Sequence, residues 1–162
     1  MKQSFWFFGA HVSILADARA TDARYDLIEG DFAAGSATPW HVHHAYAEEI
    51  YVVQGELLVH TKSQSTRLRA GERAVVPPGV VHRVVGAGAS PARALTIASP
   101  SGFAHLIKTL GMPAEAGSKP AGAPGLLKAA RAMAAAGDEV LGMPGLLMGV
   151  AKWWGDLTTK AA

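Results

Sequence analysis

Nine positions in the middle of the chain follow a fixed spacing that few folds can satisfy. Gly35 is followed by His41, His43, Glu48 and Gly55, and Gly71 by Pro77, Gly79 and His82. Alternate side chains of an extended strand share a face, so His41 and His43 project together. Glu48 opens the next strand, and Ile50, Val52 and Gln54 share its inward direction. Gly55 permits a tight turn. Pro78 pre-sets φ and Gly79 tolerates positive φ, which together suit a type II turn that reverses the chain. His82 then begins the returning strand, with Val84 as its inward neighbour. A β-barrel of short strands could gather the three imidazoles and the carboxylate around a single metal ion.

The surrounding sequence supplies those strands. Runs rich in Val, Ile, Leu, Tyr and Phe occupy 5–15, 24–32, 39–44, 48–54, 56–62, 65–70, 73–77, 80–86 and 92–99. Gly30, Gly35, Gly55, Gly71, Pro78-Gly79 and Gly86 to Gly88 separate them. Short strands at near-even spacing with Gly/Pro turns predict an all-β barrel or sandwich. The expected organisation is a β-barrel over 1–100 and a helical C-terminal extension over 101–162, packed on the barrel or on a partner subunit. Phe103 to Leu110 is a candidate helix, 112–125 a connector, and Leu126 to Ala136 a segment of strong helix propensity. Leu146, Leu147, Val150, Trp153 and Trp154 suit one apolar helix face.

Composition excludes several function classes. The Lys and Arg residues are scattered and the formal charge is only +2, so nucleic acid is not an expected partner. The absence of cysteine removes disulfides, zinc–thiolate centres and thiol nucleophiles together. The N-terminal stretch Phe5 to Leu15 mimics a short secretory signal, but His11 and Ser13 interrupt it. A structured first strand and a cytoplasmic location are therefore expected. No apolar run reaches the ~20 residues of a membrane span.

Taken singly, each candidate ligand has an ordinary explanation: a strand histidine is usually a surface or satisfied-core residue, and Glu48 suits a solvated strand end. The joint pattern overrides this. His41, His43, Glu48 and His82 form an N₃O donor set for one divalent ion, and Fe, Ni, Co, Mn, Cu and Zn all fit by ligand type. With a divalent ion these four groups carry a net +1 charge, which favours an anionic oxygen such as an enolate or phenolate.

These residues are what resemble a known family. The pattern Gly-x5-His-x-His-x4-Glu-x6-Gly, met at Gly35 to Gly55, and Gly-x5-Pro-x-Gly-x2-His, met at Gly71 to His82, are similar to the two cupin motifs. The motif's terminal Asn is replaced by Gly86, which is expected to affect a turn rather than the metal. The resemblance implies a small jelly-roll barrel with His41, His43, Glu48 and His82 as metal ligands. Pro39 to Glu56 and Ser99 to Phe103 also resemble the single-domain quercetin 2,3-dioxygenase-like group. So does Ala134 to Gly142, which looks like that group's terminal Gly-x-x-x-x-Gly element.

That likeness implies a metal-dependent dioxygenase that cleaves or oxidises a flavonol or similar enolic or phenolic aromatic with O₂. Glu48 would be the catalytic base. Ile50, Val52 and Val84 are candidates for the pocket wall. His44 and Tyr46 are candidates for substrate contact at the barrel mouth, although ordinary rim residues are the commoner case. The alternatives are a metal-dependent isomerase, cyclase or lyase, and a non-catalytic small-molecule binder. The resemblance also implies a homodimer, in keeping with an apolar N-terminal strand that needs a partner for its edge.

Overall fold

A computed structural model describes residues 3–8, 10–114 and 137–141. Strand β1 (Gln3–Phe7) and β2 (Ala10–Ala16) are followed by a short helix α1 (Ala18–Thr21) and β3 (Asp26–Phe32). Then come β4 (His41–His43), β5 (Ala47–Gln54), β6 (Glu56–Thr61), β7 (Ser65–Arg69), β8 (Arg73–Val76), β9 (His82–Gly86) and β10 (Ala92–Ser99). Helix α2 (Phe103–Leu110) and the short strands β11 (Met112–Pro113) and β12 (Asp138–Val140) complete the described chain. The strands form two antiparallel sheets, ordered β11-β1-β2-β3-β10-β5-β8 and β12-β4-β9-β6-β7. This is the expected cupin-like jelly roll.

The hydrophobic pattern fixes which way each strand faces. In β5, Glu48, Ile50 and Val52 are buried while Tyr51 and Val53 are exposed. A slip of one residue would turn the carboxylate to solvent and bury the outer row. The interior divides into two apolar groups. One packs Phe7, Val12, Ile14 and Ile28 against Ala104, Leu106, Ile107 and Leu110 of α2. The other joins Ile50, Val52, Leu57, Val59, Leu68, Val76 and Val84.

Helix α2 begins at Phe103, directly after Gly102, which has no side chain to cap it. The cap comes from β3 instead: Asp26, fully buried, accepts hydrogen bonds from the Gly102 and Ala104 amides at 2.8 Å each. Those are among the amides a helix leaves without intrahelical partners. The cap therefore also pins the extension to the barrel.

One expectation needs correction. The single strand over 5–15 is two strands that pair with each other, and the chain changes direction at Phe8, where φ is 47°. The extension carries the expected helix α2 and, in addition, two short strands. Strand β11 pairs with β1, through Phe5↔Pro113 and Trp6↔Met112, so part of the edge expected to need a partner subunit is covered within the chain. Strand β12 pairs with β4. The helices expected over 126–136 and 145–162 lie outside the described residues, and among the described ones no helix is long and apolar enough to cross a membrane.

The motif departure at Gly86 has a local cause. A Cβ at this position would lie 2.3 Å from the Ala33 carbonyl oxygen, and Gly86 exchanges backbone hydrogen bonds with Gly35 and Ser36 at 2.9 Å. The loop between β3 and β4 occupies the space an Asn would need. Gly86→Asn is therefore expected to destabilise the chain by about 1–3 kcal/mol, the usual cost of overpacking. Denaturant unfolding checks this, and an unchanged midpoint would contradict the close packing.

Candidate metal centre

Three of the four motif side chains come from one sheet and the fourth from the other. His41 and His43 stand on β4 and His82 on the neighbouring β9, where His41 and His82 are cross-strand partners. Glu48 faces them from β5 in the opposing sheet. One ligand atom from each of these residues lies within 4.8 Å of the others. His82 is delivered by the expected turn: Gly79 has φ of 80°, Val80 N donates to Pro77 O at 3.3 Å, and Gly79 N donates to His43 O at 2.7 Å. The turn is thus tied to the strand that carries two of the other ligands.

Each imidazole is oriented by an oxygen at its Nδ1. His41 Nδ1 lies 2.8 Å from Pro39 O, His43 Nδ1 lies 2.6 Å from Asp138 Oδ1, and His82 Nδ1 lies 3.0 Å from Val80 O. Since the carbonyls and the carboxylate accept, each Nδ1 carries a proton and each neutral ring is left with an Nε2 lone pair. His82 Nε2 and His43 Nε2 lie 2.8 Å and 3.5 Å from Glu48 Oε2. With all three rings neutral, lone pairs and a carboxylate would converge with no hydrogen between them, a conflict that a cation or added protons must relieve. Such a donor set fits a divalent cation, which satisfies all four groups at once.

Without an ion, protons must do this work, and the groups respond unequally. Burial, reinforced by the charges of His82 and His43, pushes His41 down to about 3. Burial also opposes charge on His43, but the hydrogen bonds to Asp138 and Glu48 outweigh it and raise the group to about 9. Desolvation would raise Glu48, yet its hydrogen bonds to His43 and His82 hold the carboxyl well below the usual range. The unliganded centre is therefore a buried carboxylate facing a protonated His43.

Beyond the four ligands lies an apolar cavity. Its wall includes Phe7, Phe8, Ile28, Phe32, Ile50, Val84 and Phe103, with His41, His43 and Glu48 also exposed to it. It touches both apolar groups of the interior, so it sits between the packed ends of the barrel. Among the described residues, no Lys or Arg lines it. Ile50 and Val84 are part of the wall, as expected from strand parity. Val52 is not: it is fully buried in the second apolar group, one pleat further from the ligands.

The two link residues do not sit at a common rim. The His44 side chain is 57% exposed and is not part of the cavity wall, although it lies 3.7 Å from Glu139, which is. Tyr46 is 1% exposed, and its hydroxyl donates to Asp138 Oδ2 at 3.0 Å. Its ring stacks on that of His43, with centroids 4.5 Å apart and an interplanar angle of 26°. Burial and the neighbouring Asp138 and Glu48 charges push its phenol far above the usual range, so it remains a neutral donor. Asp138 was not anticipated. It lies 95 residues from His43 in sequence, and only the pairing of β12 with β4 joins them.

The sign of the pH response of metal-free protein follows from these shifts. His43 is raised, so its contribution to stability is complete below about 6.5 and is lost as the pH rises through about 9. His41 is depressed, so its contribution is present above about 6.5 and is lost as the pH falls towards about 3. The thermal midpoint of metal-free protein is expected to peak near neutrality. Loading with a divalent ion should remove the alkaline decline, because the ion replaces the His43 Nε2 proton. Metal-free protein whose midpoint does not fall between pH 6.5 and 9 would contradict the protonated His43.

Residues 29–98 match the cupin domain family. No curated protein matches the chain. Among solved structures, KdgF from a Halomonas species aligns with a TM-score of 0.51 at 24% identity, covering 57% of this chain and 79% of that one. The polyketide cyclase RemF from Streptomyces resistomycificus aligns with a TM-score of 0.50 at 24% identity, over 57% of this chain and 66% of that one. An oxalate oxidase in complex with glycolate aligns with a TM-score of 0.51 at 30% identity, over 57% of this chain and 52% of that one. Residues 29–98 thus match the cupin domain, and the described barrel shares the fold of these structures.

Proposed function

We propose that this chain is a metal-dependent, quercetinase-like dioxygenase that oxidises a flavonol or a similar enolic or phenolic aromatic substrate with O₂. The observation that carries the reading is the His41, His43, Glu48 and His82 cluster opening into a cavity walled by Phe7, Phe8, Phe32 and Phe103. The 30% identical structure is an oxidase, which supports oxidative chemistry. A small dicarboxylate such as oxalate suits this cavity poorly. Away from the ligand cluster the lining is mainly apolar and includes no Lys or Arg to pair with a second carboxylate.

A divalent ion held by the four side chains would acidify a bound substrate hydroxyl and supply the electronic part of the oxidation. The remaining work falls to the protein. The aromatic wall holds the flat body of the substrate and excludes water. The hydroxyl is directed towards the polar end, where His41, His43 and Glu48 are the groups that meet it. Glu48 is the proton acceptor at that end. As one of the four side chains that would hold the ion, it is a weak base. It can take the proton only from a hydroxyl that has already been acidified, which makes proton removal dependent on correct seating.

The decisive assay is oxygen uptake by metal-loaded protein with a flavonol as substrate. About one O₂ consumed per substrate lost is expected, with no turnover under anaerobic conditions. Equal turnover without oxygen would overturn the dioxygenase reading in favour of an isomerase, cyclase or lyase.

A further inference from the structure

We infer that Asp138, on a strand contributed by the C-terminal extension, is a positioning residue that fixes the tautomer and strengthens the donor character of His43, with Tyr46 holding it in place. This rests on the metal-binding reading of the cluster and extends it beyond the two motifs.

Three contacts define the arrangement. Asp138 Oδ1 accepts from His43 Nδ1 at 2.6 Å, a short charge-assisted hydrogen bond. Asp138 Oδ2 accepts from the Tyr46 hydroxyl at 3.0 Å, so both carboxylate oxygens are engaged by donors of defined geometry. The Tyr46 ring stacks on His43 at 4.5 Å. His43 is thus held at its edge by Asp138 and at its face by Tyr46. His41 and His82 differ: their Nδ1 atoms lie against the Pro39 and Val80 carbonyls. Only His43 among the three imidazoles has a carboxylate at its Nδ1.

The backbone around Asp138 places it with little freedom. Asp138 is the cross-strand partner of His43, and Val140 that of His41. Leu141 N donates to Trp40 O and His44 N to Gly137 O, both at 2.7 Å, clamping the strand at either end. Gly137 has φ of 71°, and a Cβ there would lie 2.9 Å from the Ala45 side chain. The turn into β12 therefore requires glycine. A carboxylate at the distal nitrogen of a ligating imidazole fixes which nitrogen is free and raises its basicity. The extension thereby completes a centre whose ligands all lie in the barrel.

Asp138→Asn separates charge from shape, because the amide oxygen can still accept from His43. Metal affinity of the full-length chain, measured with Co(II) against a chromophoric chelator, is expected to fall about 10- to 100-fold, the usual cost of losing such a partner. The visible Co(II) bands should shift as well. Tyr46→Phe should weaken binding less, and its effect should largely vanish in the Asp138→Asn background. Unchanged affinity and spectrum in folded Asp138→Asn, with binding lost in His43→Ala, would overturn the inference and leave the metal reading intact. Wild-type protein with no affinity for Co(II) would instead overturn the metal reading itself. A readout free of mutation uses wild-type protein loaded with Zn(II): ¹⁵N-detected histidine spectra should show His43 protonated at Nδ1, and protonation at Nε2 would overturn the inference.

Discussion

The structure turns on a buried carboxylate that faces imidazoles across the gap between two sheets. Glu48 comes from one sheet and His41, His43 and His82 from the other. A charge removed from water in this way must be neutralised locally, since desolvation otherwise costs several kcal/mol or more. Protons on the imidazoles do this imperfectly, as the opposed behaviour of His41 and His43 indicates. A divalent ion would do it for all four groups and would link the two sheets through the core. Binding the ion would then also be binding the folded state, so occupancy and stability should rise together.

Around this point the fold supplies a polar end and an apolar body. The polar end is stiffened by oxygens at every Nδ1, drawn from the loop before β4, the turn before β9 and the distant strand β12. The apolar body is the cavity, bounded by aromatic side chains from β1, β3 and α2. Helix α2 has no local cap and is held by Asp26 of β3, so the cavity wall depends on the same inter-element contacts that hold the extension to the barrel. Orientation at one end and exclusion of water at the other are what an enolic aromatic substrate would require.

The parts legible in the sequence were those governed by local periodicity. Strand parity placed His41 and His43 on one face and aligned Glu48 with Ile50, and the Pro78-Gly79 dipeptide specified the turn before His82. Parity gave no guidance for Tyr46, because the link between β4 and β5 is not a strand and its side chains obey no alternation. The break at Phe8 was missed because the apolar run continues on both sides of it. Asp138 carries no local signal towards the centre: its role follows from a strand pairing that spans 95 residues. The Gly-x-x-x-x-Gly likeness at 137–142 marked the segment but not the residue. The Asp26 cap on α2 was hidden for the same reason, since a helix start without its own cap looks weak in sequence.

Metal-edge X-ray absorption on the full chain loaded with Zn(II) tests the central claim most directly. The account predicts one tightly held ion per chain with a nitrogen and oxygen shell at about 2.0–2.2 Å. It also predicts outer-shell ring scattering from three imidazoles, and loss of the ion or of one ring signal in His41→Ala. A retained ion surrounded by oxygen alone, or with a spectrum unchanged in His41→Ala, would contradict it.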